Sequence, residues 1–234
     1  MRISRSIVFV ATCFTALNTL AFADQTDDLI SKLKTPQRGD AIRELKWLDD
    51  VRAVKPLFEV IDDEIADCVE HKGGCAWSAP GAISNLYERA SSPTRKEHGP
   101  EMISAIDREV VALSKRMADS KNTYERSAIM TALGWIRSSA AINPLLVELE
   151  KPEGGWALRA LVALGWRSLQ PVKDWTLTKT GNMGRAGVQI IAQINRRGAR
   201  KALNEIIAKH TDPAIKAYAT ETLPKLKKWP GEKE

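Results

Sequence analysis

Apolar residues recur at helical spacing along most of the chain, and nearly the same transition between two such stretches occurs three times. In "RSAIMTALGWI", residues 126–136, the positions Ile129, Met130, Leu133 and Ile136 form one apolar stripe, the mark of a helix with one buried face. That stretch runs into "LGWIRSSAAINPL" at 133–145, which aligns without a gap with "LKWLDDVRAVKPL" at 45–57 and "IAQINRRGARKAL" at 191–203. The apolar spacing then resumes as "PLFEVI" at 56–61, "PLLVEL" at 144–149 and "ALNEII" at 202–207. Each copy therefore predicts a helix, a tight corner and a second helix. Pro56 and Pro144 share one slot and suit a first helical turn, where the missing N–H would have had no partner. Asn143 stands where a capping side chain is wanted, whereas Lys55 in the equivalent slot cannot cap.

A fourth copy lies between these, because "ALGW" at 132–135 returns as "ALGW" at 163–166, followed by a shortened corner and Pro171. The unit is about 30 residues long, a period that indicates stacked helix pairs, since one pair alone cannot bury its apolar face. Leu45 and Leu133 are too far apart for one unit, which leaves room for an irregular second unit at about 63–122. Helices are expected there near 77–90 and 100–118, the second with a stripe of Met102, Ile103, Ile106, Val110, Leu113 and Met117. Between them "SSPTRKEHGP" at 91–100 reads as a polar loop. At the C-terminus Asp212 is the expected cap of a last helix with Pro213 at its first position and a break at Pro224. The pattern predicts an all-α chain, an α-α superhelix of about five helix pairs, with a basic terminal cap at about 212–234.

These residues resemble the HEAT-like repeat family, most closely the short repeats first described in phycobilisome lyases. The resemblance rests on Leu133-Gly134-Trp135-Ile136 with Ala141-Ile142 and Pro144-Leu145, on Leu164-Gly165-Trp166, and more loosely on the copies at Leu45 and Ile191. It covers about residues 38–226 and implies a helical solenoid whose surface holds other proteins. Arg38 and Arg126 fall at equivalent positions where the family often has an arginine tying neighbouring units together. The resemblance carries fold and not chemistry, and no bilin-binding signature accompanies it.

The first 23 residues read as an address. Arg2 and Arg5 precede the apolar "IVFVATCFTALNTLAFA", and Ala21-Phe22-Ala23 is the small-x-small pattern that a signal peptidase cuts after. The expected cut after Ala23 makes 24–234 the mature repeat domain and places it in the periplasm or outside the cell. Thr12, Thr15, Asn18 and Thr19 keep the stretch short of the roughly 20 apolar residues of a membrane span. Val10-Ala11-Thr12-Cys13 makes a poorer lipoprotein box, in which Cys13 would carry the lipid. No transmembrane segment is expected in the mature chain.

Charge changes the picture only at one end. The chain has a formal net charge of +6, and from Arg185 onward 11 Lys and Arg face 5 Asp and Glu. The basic runs "RRGARK" at 196–201 and "KLKKW" at 225–229 bring Arg196, Arg197 and Arg200 forward as candidates for an acidic protein or an anionic cell-wall or lipid surface. Nucleic acid is not expected of an exported protein. Cys68 and Cys75, in "DCVEHKGGC", are the two cysteines outside the leader, and in an oxidising compartment such a pair reads first as a disulfide. The competing readings are a metal site completed by His71 and His98, at a Cys-x2-His-x3-Cys spacing unusual for structural zinc, and a redox pair, although Cys-x-x-Cys is absent.

No catalytic set assembles. Gly-x-Ser-x-Gly is absent, and "GNMGRAG" at 181–187 matches neither a phosphate-binding nor a dinucleotide loop, so it is expected to be a loop entering the next unit. No cofactor is expected. Trp47 and Trp135 occupy equivalent slots with Trp166 close to them in register. Two readings stay open: core packing, or an exposed ladder on one face available to a partner. The expected function is that of an exported scaffold for protein–protein interaction and not an enzyme.

Overall fold

The computed structural model describes residues 25–73, 75, 77–94 and 98–229. The expected leader at 1–23, with Cys13, lies outside the described residues, as do 230–234. A short helix α1 at 25–32 is followed by five helix pairs. These are α2 (Arg38–Leu45) with α3 (Val54–Glu70), α4 (Ala79–Ala90) with α5 (Gly99–Asp119), α6 (Thr123–Ile136) with α7 (Ile142–Leu149), α8 (Gly154–Leu164) with α9 (Trp166–Thr176), and α10 (Gly181–Ile194) with α11 (Ala199–Lys209). Helix α12 (Pro213–Thr222) closes the array. No strand occurs among the described residues, and none of their helices is long and apolar enough to cross a membrane.

The helices form two layers. Helices α2, α4, α6, α8, α10 and α12 lie side by side in one, and α3, α5, α7, α9 and α11 in the other. The apolar stripes meet between the layers as one continuous core, with Leu45, Leu57, Ile83, Leu86, Ile106, Ile129, Leu133, Leu161, Ile191 and Leu203 almost wholly buried. Full burial of a side chain of this size contributes roughly 1.5–3 kcal/mol. No single pair could hide its stripe, so the stack is the folding unit.

The corners depart from the sequence expectation in how they are capped. Asn143 makes no capping hydrogen bond. A short turn at Ser139–Ala141 precedes α7, and it is Ser138 that accepts the N–H of Ala140 while donating to Asp107 Oδ1 at 2.5 Å. In the first copy Asp50 sits in the same slot and accepts the N–H of Arg52 at 2.9 Å. A side-chain acceptor is thus present in both copies, five residues earlier than the slot of Asn143 and Lys55, because each second helix is led in by an extra turn. Pro56 and Pro144 still fall within the first turn, as expected, but Pro171 lies inside α9. That helix starts directly after Gly165 and has no lead-in turn to absorb the proline.

Two further expectations change. "GNMGRAG" is not a loop but the first two turns of α10. Its glycines are there for space: a Cβ on Gly187 would lie 1.9 Å from Thr176 Oγ1, and one on Gly184 2.8 Å from the Ile215 side chain. Residues 63–70, expected in the irregular unit, complete α3, so that unit's own helices begin at Ala79. Its helix α5 agrees closely with the expected span. Asp212 caps α12 through the N–H of Ala214 as expected.

The equivalent arginines Arg38 and Arg126 do tie helices together. Arg126, at the start of α6, pairs with Glu148 at the end of α7 and with Glu153 ahead of α8 at 3.2 Å. Arg38 reaches the matching position in its own unit, the carbonyl of Val60, at 3.1 Å. Burial alone would raise the pKa of Glu148, but hydrogen bonds from Lys151 and Arg126 outweigh it and hold the carboxyl below its usual value.

Candidate partner-binding edge

The helices of the first layer end along a common edge. Helix α6 stops where Arg137 turns left-handed (φ 61°), and α10 stops at Asn195 in the equivalent slot (φ 39°). Helix α8 stops at Gly165, whose φ of 64° with ψ of −134° suits glycine alone. Contacts across the edge join these ends. Arg89, at the end of α4, donates to the carbonyl of Lys46 at 2.9 Å, pairs with Asp49 at 2.9 Å and stacks over the Trp47 ring at 5.7 Å. Glu88 beside it accepts both terminal nitrogens of Arg167, at 2.8 and 3.2 Å. These hydrogen bonds hold Glu88 below the usual glutamate pKa against the opposing pull of burial.

Arg167 is more buried than Arg89, Asp49, Glu88 or Arg137 along the edge. Its side chain is only 8% exposed, with the guanidinium 5.5 Å from the Tyr87 ring centroid and 4.8 Å from that of Trp166. Stacking on two rings and a bidentate carboxylate together fix its orientation. Beyond it opens a recess of about 310 Å³ lined by Glu88, Arg137, Trp166, Arg167, Gln193 and Arg196, among others. The recess draws on α4, the capping residue that ends α6, α8, α9, α10 and the turn after it.

The tryptophans settle the question that periodicity left open. Trp47, Trp135 and Trp166 are 61, 56 and 65% exposed, so none is a core residue. Trp135 is the penultimate residue of α6, Trp47 lies two residues past the end of α2, and Trp166 opens α9 two residues past the end of α8. Trp77 and Trp175 do pack against the core.

The basic candidates divide. Arg196 lines the recess and Arg197 is exposed. Arg200 is turned inward, donating to the carbonyls of Leu223 and Leu226 at 3.1 and 3.3 Å and so fastening the C-terminal segment. The three arginines that looked like one patch therefore do three different things.

The cysteine pair is joined. The sulfurs of Cys68 and Cys75 lie at bonding distance, with their Cα atoms 4.8 Å apart. Closing so short a loop contributes about 2–3 kcal/mol in the chain-entropy view. The four residues of a metal set are not assembled: His71 stands exposed beside Asp67 and Glu70, while His98 lines a separate recess with Trp47, Asp49 and Met102. The third imidazole is structural. His210 is buried, with Nε2 facing the carbonyls of Thr176 and Lys179 at 3.1 and 2.9 Å, and Nδ1 accepting the N–H of Asp212. That partner set puts the ring proton on Nε2 and links the ends of α9 and α11 to the start of α12.

Sequence reasoning missed Arg137, Arg167 and Glu88. Arginine follows shortly after the repeated tryptophan in "GWIR" and "GWR", which is a usable signal for the first two. Nothing local marks Glu88, which lies 79 residues before its partner. No protein-family model matches the chain, and no curated protein is similar to it in sequence.

Proposed function

We propose that this protein is an exported helical-repeat scaffold that binds a protein partner along the edge where the first-layer helices end. The observation that carries the reading is the exposure of Trp47, Trp135 and Trp166, all more than half open to solvent at that edge. Tryptophan is costly to leave in water and is enriched among interface hot spots. The rigid stack supports the same reading, since a surface held by a continuous core loses little entropy on binding. The HEAT-like character of the repeats, the leader and the joined cysteines support a binding protein in the envelope. A cell-wall or lipid surface as the target draws less support, because Arg200 is occupied within the chain.

The test is a crosslinked pull-down of the full chain from an envelope extract beside the triple variant Trp47→Ser/Trp135→Ser/Trp166→Ser, with thermal unfolding recorded for both. A discrete partner held by the parent chain and lost by an equally stable variant is the expected result. Equal recovery by both would remove the edge from consideration. N-terminal sequencing of the exported form, expected to begin at Asp24, checks the location.

A further inference from the structure

Three guanidinium groups and one carboxylate face the recess at the end of α8. Glu88 is committed to Arg167, whose side chain is buried and held between two rings. That pair forms one wall. Arg137 is 51% exposed and approaches Glu88 only to 4.0 Å. Arg196 is exposed and makes no ion pair among the described residues. The bland account of arginines at such a place is that they cap helix carbonyls, as Arg89 does for Lys46. Neither Arg137 nor Arg196 donates to a carbonyl among the described residues, so capping does not use them. Among the described residues two cations are therefore left without a close anion of their own around one partly enclosed space, where low-dielectric walls focus their field.

We infer that this recess seats a carboxylate of the partner, the Asp or Glu side chain of an acidic segment, between Arg137 and Arg196 with Trp166 beneath the neighbouring residue. The inference rests on the scaffold reading and names the chemistry its partner presents. Charge complementarity selects the carboxylate, and the Arg167–Glu88 fork shows the same recognition already formed within the chain. Trp166, 65% exposed at the rim, selects a polypeptide over a free ion, because it offers a flat apolar platform that an isolated anion cannot use. A volume of about 310 Å³ lies at the low end for ligand sites, which fits one or two side chains and no large cofactor.

The experiment uses the full chain and a fluorescein-labelled decapeptide alternating Glu and Leu, with a counterpart in which each Glu is Gln, followed by anisotropy at low ionic strength. Binding of the glutamate peptide, at least tenfold weaker for the glutamine peptide and for Arg137→Gln/Arg196→Gln, is expected. Arg197→Gln, outside the recess, leaves it unchanged, and Arg137→Lys/Arg196→Lys recovers part of it. Affinity falls with added salt, as exposed charge pairs require. An unaltered affinity in the glutamine double variant, no binding of the glutamate peptide, or its displacement by millimolar inorganic phosphate would each overturn the inference. The two readings fail separately. If the pull-down partner is lost with the tryptophan variant but held by Arg137→Gln/Arg196→Gln, the scaffold stands and the carboxylate seat falls. If the peptide binds as described while no partner is captured, the seat stands and the scaffold reading falls.

Discussion

Residues 132–135 and 163–166 carry the same four letters, Ala-Leu-Gly-Trp, and the structure uses them differently. In the first, Gly134 lies inside α6, where a Cβ would stand 2.8 Å from the Cα of Ala160. The glycine is there so that α6 and α8 can touch backbone to backbone. In the second, Gly165 ends α8 with positive φ, and a Cβ there would meet nothing within 4 Å. Here the glycine supplies a turn and not a gap. What separates them is the next helix, which crosses Gly134 and leaves Gly165 free. The matching arginines teach the same lesson: Arg126 faces a buried carboxylate at Glu148, while Arg38 finds a carbonyl at the equivalent Val60 and an exposed carboxylate at Asp63, 3.6 Å away.

The sharpest way to break the comparison is to give both glycines a methyl group. Gly134→Ala forces α8 outward and is expected to cost about 3 kcal/mol in urea unfolding. An effect near zero would mean that the two helices do not meet as described. Removing the two arginines comes next. Arg126→Met is expected to cost about 2–3 kcal/mol, since it strips one partner from the buried Glu148, which keeps Lys151. Arg38→Met is expected to cost about 1 kcal/mol, the value of one hydrogen bond.

Acid separates the same pair further. The pKa of Glu148 is lowered by folding, so its contribution is present above the unfolded value of about 4.3 and is lost as pH falls through the lower folded value. The gap between the parent chain and Arg126→Met should therefore narrow below about pH 4, as read by unfolding at stepped pH. The gap for Arg38→Met should narrow less, because Arg38 bonds the Val60 carbonyl and its ion partner Asp63, 3.6 Å away, is exposed.

Gly165→Ala introduces no clash but demands a backbone conformation that alanine resists, and about 1.5 kcal/mol is expected. A cost equal to that of Gly134→Ala would erase the distinction between the two sites. The smallest effects belong to the neighbouring tryptophans. Trp135→Ser is expected to change stability by less than about 0.5 kcal/mol, as exposed substitutions do, and Trp166→Ser by up to about 1 kcal/mol, because it also removes a ring stacked on Arg167. A larger loss would return those side chains to the core and remove the support for a binding edge.

Much of the fold was legible in the sequence because helical spacing is a local property. The stripe at Ile129, Met130, Leu133 and Ile136, the prolines at 56 and 144, and the cap at Asp212 are each set by a few neighbouring residues. The site was legible only in part. Repeated tryptophans mark the edge, but the pattern offers Asn143 as a cap and Arg200 as a surface charge, and the structure uses neither in that way. Both depend on groups remote in sequence: the lead-in turn is fastened by Asp107 of another helix, and Arg200 is held by carbonyls more than twenty residues on.

The sequence by itself determined that this chain is all helical, that its helices come in repeating pairs, and that the pairs must stack, because each presents an apolar face it cannot bury alone. Only the tertiary structure decided which of two identical glycines is a contact and which a turn, that Trp47, Trp135 and Trp166 face water, and that Arg137, Arg167 and Arg196 surround one recess with Glu88. The physical reason is common to all three. A residue's role on a helix depends on what crosses that helix, and stacking brings together helix ends that the chain itself keeps far apart.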